Sequence, residues 1–339
     1  MKILIYADQH WREFGSYLGF NKLLENGLTG ELNNQISASS FVAQKIEELN
    51  PGEVWNLGDV FHDLERISIK TLHAVHLGLN MISKACKKLG IPHYLIPGNH
   101  DCFSEVSGIY SVSILSGYFN EIFLSNKVLN SDVGIVPHHT KAEDVYNGLM
   151  EVSGMLSRDG VIFTHNEFSG ARYENNFDTD SNLSPELPLK IISGHIHLPQ
   201  QVGNVWYVGS LVQNRFAQNK LNPNGILIYD TECKAVTRLR NNRSKHYVVV
   251  KDLDTVRNFD PRQVILKVFS DRPQEEMELI LKDYEYAYFP VLEKKDDVQN
   301  TVIDFQIEDP LSALKAHISQ ENPEALEIFE KVVKKRRTK

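Results

Sequence analysis

Five times along this chain a short apolar run ends in polar groups able to bind a cation. ILIYA runs into Asp8-Gln9-His10, VWNLG into Asp59 and YLIPG into Asn99-His100. VIFT runs into His165, and IISG into His195-Ile196-His197. Runs of this length read as strands. Between the first three lie segments of helical spacing. Residues 36–49 place Ile36, Phe41, Val42, Ile46 and Leu49 on one face, and Pro51-Gly52 ends them. Residues 70–89 read as a second helix, with Gly90 just past its end. Strands that alternate with helices imply parallel βαβ units and a sheet covered on both faces. The carboxyl ends of parallel strands open onto one crevice, so clusters that span residues 8 to 197 can converge there.

Later segments are richer in strands. Candidates fall at 135–137, 161–163, 189–193, 205–208 and 225–229, which predicts a second sheet stacked on the first. The fold class is therefore α/β, and the main domain covers residues 1–240. A small α+β unit follows over 241–300, with strands at 246–252, 263–269 and 285–292 and a helix at 274–282. The last stretch, 301–339, carries two amphipathic helices. Leu311, Leu314 and Ile318 mark the first, and Leu326, Phe329 and Val333 the second, with Pro323 at an N1 position between them. Residues 13–35 read as a long loop, and residues 107–119 as a further helix.

The residue types define the chemistry. Carboxylate, imidazole and amide oxygen without thiolate favour hard or borderline divalent ions. In extended backbone, side chains two apart project to the same side, which suits D-x-H and H-x-H. Asp59 has two oxygens and can bridge two ions, which in such centres sit about 3.5–4 Å apart. His100, beside Asn99, is placed to assist at a phosphate or its leaving oxygen. Asp101 can hold its tautomer or cap the following turn. His62, three residues after Asp59, is a second candidate for positioning substrate.

At these residues the sequence resembles the calcineurin-like metallophosphoesterases, whose ordered motifs are D-x-H, GD, GNHD, a lone later His and GHIH. More narrowly, DQHW, GDVFHD, PGNHD and GHIH resemble SbcD-type nuclease subunits over residues 1 to about 210. The resemblance implies a four-layer αββα sandwich, a small capping domain and a C-terminal helical segment. It places one metal on Asp8, His10, Asp59 and His197, and another on Asp59, Asn99, His165 and His195. His100 matches the catalytic histidine, and His62 the histidine after the second motif. It further implies Mn2+, with Mg2+ as the alternative, and DNA as substrate. The implied partner is an SbcC-type ATPase, met by a homodimer in a 2:2 heterotetramer and held by the helices of 301–339. The departures are Gln9, Thr164 before the lone His, and the long segment 13–35.

Bulk composition sets limits. The net charge is −8, so any hold on DNA must come from local basic groups and metal ions. Arg238, Arg240, Arg243 and Lys245 lie together and suit phosphates, or else protect a strand edge. No P-loop occurs, so ATP use would fall to the partner. Three cysteines without paired spacing fit a reducing cytoplasm, and no run of about eighteen apolar residues suggests a membrane span. His138-His139 follows another strand end and reads as a solvent-facing pair or, alternatively, as part of the cleft lining. Two other readings compete: a small-molecule phosphatase or phosphodiesterase of the same fold, and a non-catalytic scaffold.

Overall fold

The computed structural model describes residues 1–13, 23–104, 108–174, 177–214 and 224–290. Strands β1 (Lys2–Tyr6), β2 (Glu53–Asn56) and β3 (His93–Leu95) lie side by side and parallel. Helices α1 (Gly30–Leu49) and α2 (Ile69–Leu89) return the chain between them. Leu4, Tyr6 and Val54 pack toward these helices, while Ile3, Ile5 and Trp55 face the other way. That alternation is the two-residue period of a strand buried on both faces. Gly225–Asp230, antiparallel to β1, then Val236–Arg240 on one side and Glu121–Ile122 on the other complete six strands.

A second six-stranded sheet runs in the order Gln200–Val202, Val205–Tyr207, Lys190–Ser193, Val161–Thr164, Val133–Val136 and Lys127–Asn130. Its four inner strands are parallel. One core joins the two sheets, with Ile3, Ile5 and Trp55 meeting Val133, Val161 and Phe163. The outer face of the second sheet is covered by α3 (Ala142–Ser153) together with Phe168, Leu183 and Ile196. The layers are helix, sheet, sheet, helix, the αββα sandwich that the sequence implied.

Two elements differ from expectation. Residues 30–35 belong to α1, not to a loop. Thr29 caps the helix by accepting from Leu32 N, and the buried side of the first turns is mostly polar, with Glu31, Asn34 and Gln35 beside Leu32. A polar buried face hides the apolar spacing by which a helix is read. Of the stretch 107–119, the described residues 108–119 do not form an α-helix, since Ile109–Tyr110 is a short strand and Ser111–Tyr118 a 3₁₀ helix.

Beyond the sandwich, His246–Val250, Val264–Ser270 and Glu285–Pro290 form a parallel three-stranded sheet. With the short helix Gln274–Ile280 it has its own core of Val250, Leu266, Val268, Met277 and Leu281. Tyr247 is tied to Gln213 by a reciprocal pair of bonds, each 3.0 Å. The proposed partner helices, with Leu311, Leu314, Ile318, Leu326, Phe329 and Val333, lie outside the described residues. Among the described residues, no helix is long and apolar enough to cross a membrane.

Candidate metal centre

The loops that leave β1, β2, β3, Val161–Thr164 and Lys190–Ser193 meet at one edge of the sandwich. Their backbone is unusual. Asp8, His10, Asp59 and His195 have φ values of 54°, 47°, 53° and 76°. Non-glycine residues pay about 1–3 kcal/mol each for this region, and such strain concentrates at functional sites. Hydrogen bonds hold it in place. Asp8 N donates to Gly58 O and His10 N to Asp59 O, both at 2.9 Å. Gln35 Nε2 donates to Gln9 O at 3.1 Å and His10 O at 3.0 Å, so the polar start of α1 is used here. His195 N donates to Asp8 Oδ1 at 3.0 Å, and His100 N to Asp59 Oδ1 at 2.9 Å.

Two groups of donor atoms that share Asp59 result, Asp8–His10–Asp59–His197 and Asp59–His165–His195, and a third, His10–His62–His100, lies beside the first. In the first, His10 Nε2 lies 2.8 Å from His197 Nε2 and 3.2 Å from Asp59 Oδ2. In the second, His165 Nε2 lies 3.3 Å from Asp59 Oδ1. Asn99 Oδ1 joins it, 3.2 Å from His165 Nε2 and 2.8 Å from His195 Nδ1. Each oxygen of Asp59 thus serves one group. Asp8 Oδ2 is buried and has no hydrogen-bond partner among the described residues. A carboxylate oxygen in that state is costly unless a cation sits against it. With oxygen and nitrogen donors only, the residues fit two divalent ions.

Charge is tightly coupled here in the metal-free chain. Burial alone would raise Asp59, but His165 and His10 beside it hold the carboxyl well below its usual range. Burial raises Asp8, with His165 and His197 opposing. Burial disfavours charge on His165 too, yet Asp59 and Asp8 lift it to about 9. Burial holds His10 well below an ordinary histidine.

His100 Nδ1 lies 2.7 Å from His62 O. A carbonyl only accepts, so Nδ1 carries the proton and Nε2 offers the lone pair. His62 stacks on His100 with ring centroids 5.1 Å apart. Arg12 Nη1 donates to His62 Nε2 at 2.7 Å. Burial, then the Arg12 charge, push His62 down to about 3, so it is neutral at neutral pH.

Several expectations are corrected. Asp101 does not orient His100: its carboxylate accepts from Val60 N, Phe61 N and Gly98 N at 3.0, 3.2 and 3.0 Å, and so pins the two loops. Arg238 is not available to phosphates, because its guanidinium donates to Val208 O and Tyr207 O at 2.7 and 2.9 Å. Lys245 is paired with Glu285 at 2.6 Å. Arg240 and Arg243 are exposed, at the His246 ring and Ser40 Oγ respectively. His138 does not face solvent but stacks against His195 at 6.2 Å, with Nδ1 3.2 Å from His165 O. Sequence reasoning missed Arg12, Glu167 and Glu174. Glu167 sits two residues after His165, a spacing that could have flagged it, whereas Glu174 carries no such signal.

The sequence matches the calcineurin-like phosphoesterase family over residues 1–228. The chain belongs to that family. As a calcineurin-like phosphoesterase it is a metal-dependent phosphoester hydrolase. A protein of Invertebrate iridescent virus 6, named as a candidate phosphoesterase 244L, is 26% identical over 209 residues, which cover 58% of this chain and 71% of the viral one. Among solved structures, the E. coli phosphoesterase Yfce is 15% identical, covering 71% of this chain and all of its own, with a TM-score of 0.33. A dimetal phosphatase of Danio rerio is 9% identical, covering 67% and 91%, with a TM-score of 0.37. Family membership rests on the sequence match and on the ligand-bearing loops, not on these structural overlaps.

Proposed function

We propose that this phosphoesterase is a DNA nuclease that hydrolyses phosphodiester bonds with two Mn2+ ions. The observation that carries the reading is Asp59, whose two oxygens serve two donor groups, with His100 and His62 stacked beside one of them. Two divalent ions held there supply Lewis acidity and an activated water. The chain supplies the rest. Asp8, His10, Asp59 and His197 would hold one ion, and Asp59, Asn99, His165 and His195 the other. His100 Nε2, whose lone pair is free because the ring proton is committed to His62 O, would take up the proton released by the attacking water and return it to the leaving oxygen. Arg12 fixes His62 in its neutral form, and His62 in turn supports His100.

The nuclease reading, beyond phosphoester hydrolysis, draws on the DQHW, GDVFHD, PGNHD and GHIH motifs, on His62, and on the extra sheet at 246–290. A homodimer engaging an SbcC-type ATPase through residues 301–339 completes the proposal. One observation favours small phosphoesters instead: of the four basic residues expected to meet DNA, Arg238 and Lys245 are engaged internally. The deciding experiment is degradation of end-labelled linear duplex DNA with Mn2+, comparing wild type with His100→Ala, with and without the ATPase subunit. Degradation lost in His100→Ala supports the nuclease. Turnover of a small chromogenic diester with duplex DNA left intact in every combination would replace it with the small-phosphoester reading.

A further inference from the structure

Each donor group contains one histidine from the loop after Lys190–Ser193, and each of these rings turns its second nitrogen outward toward a glutamate. His195 presents Nδ1 to Asn99 Oδ1 at 2.8 Å and Nε2 to Glu167 Oε2 at 3.4 Å. His197 presents Nε2 to His10 Nε2 at 2.8 Å and Nδ1 to Glu174 Oε1 at 2.9 Å. Both glutamates lie on the segment that follows His165, and that segment is anchored. Phe168 N donates to the Tyr207 hydroxyl, and the Ser181 hydroxyl to Glu167 O, each at 2.9 Å. The Tyr173 hydroxyl donates to Glu167 Oε2. The Glu174 side chain is 8% exposed, and its buried Oε1 makes no hydrogen bond among the described residues, its approach to His197 Nδ1 being one of distance and not of hydrogen-bond angle.

The pairing has a chemical consequence. A neutral imidazole that gives one nitrogen to a cation carries its proton on the other. A carboxylate at that outer nitrogen accepts the proton, fixes the ring's tautomer and angle, and makes the inner nitrogen a stronger donor.

We infer that Glu167 and Glu174 are positioning residues, one for each metal site. Glu174 aims His197 at the site shared with Asp8, His10 and Asp59. Glu167 aims His195 at the site shared with Asp59, Asn99 and His165. The inference rests on the two-metal reading above and deepens it: the affinities of the two sites are set separately, by two side chains of one segment.

The test is a Mn2+ titration of the metal-free full-length protein as wild type, Glu174→Gln and Glu167→Gln. Bound metal is measured by equilibrium dialysis, and spin coupling between ions by electron paramagnetic resonance. Glutamine keeps the shape and removes the charge, and melting of the metal-free proteins checks the fold. Each variant is expected to weaken one of the two binding steps by about 10–100-fold and leave the other unchanged. The coupled two-ion spectrum then gives way to that of isolated Mn2+. In a His197→Ala background, Glu174→Gln should change nothing further. Unchanged binding in both variants, or equal weakening of both steps by each, would overturn the inference while leaving two metals in the wild type. A wild type that binds fewer than two ions would remove the two-metal reading itself, and the inference with it.

Discussion

A Cβ at Gly98 would sit 2.2 Å from Asp59 Oδ1 and 2.6 Å from His165 Cε1. Neither atom can retreat, since both side chains are buried in the centre. Gly98→Ala is therefore expected to displace a ligand and abolish binding of at least one ion, which calorimetric titration with Mn2+ measures. His100 lies outside the two donor groups that share Asp59, so its loss should act on rate. We expect His100→Ala to lower kcat by about 10²–10⁴-fold with metal content unchanged. His93, in β3, offers a prediction free of the metals. It is buried, accepts from the Tyr6 hydroxyl at Nε2 (2.8 Å) and donates from Nδ1 to Tyr118 O (3.1 Å). Burial holds its pKa down to about 3, against about 6.5 in the unfolded chain. Between those values the unfolded state binds the extra proton, so stability is full above about pH 6.5 and falls as the pH drops toward 3. Denaturant midpoints of His93→Gln should show a shallower acid loss over that window. The ligand residues were legible because each follows an apolar run. The role of Asp101 was not, because a carboxylate that pins loops and one that orients a histidine look alike in sequence.

At the scale of elements, α1 shows where reading by pattern ends. Its later turns bury Phe41, Val42 and Ile46 and were recognised. Its first turns bury Glu31, which pairs with Arg12 at 3.5 Å, and Asn34 and Gln35, whose partners are backbone groups of Lys245 and of the metal loop. A helix whose buried face serves a site carries no apolar period there. The cap still governs its start: Thr29→Ala removes the acceptor for Leu32 N and is expected to cost about 1 kcal/mol, read as a fall in denaturant midpoint. The 3₁₀ helix Ser111–Tyr118 was misread as α because apolar residues at three- and four-residue steps do not distinguish the two. The strands were the most legible elements, since four or five continuous buried residues allow few other structures.

At the scale of the molecule, the two stacked sheets bring ligands from residue 8 to residue 197 to one edge, and strand order alone accounts for that convergence. The layer architecture was legible from the alternation of elements. The fate of the basic cluster was not, because burial of Arg238 and pairing of Lys245 depend on contacts distant in sequence. A protein that binds ions only when folded is stabilised by them, so saturating Mn2+ should raise the melting temperature and a chelator should lower it. On the proposed reading, Asp59 joins two metal ions in one hydrolytic centre. It is tested most directly by measuring bound Mn2+ per chain and turnover of a chromogenic phosphodiester on the same samples of wild type and Asp59→Asn. The account predicts two ions and turnover in the wild type, with both the metal pair and the activity lost in the variant. Turnover that survives Asp59→Asn, or a wild type that turns over substrate with no metal bound, would contradict it.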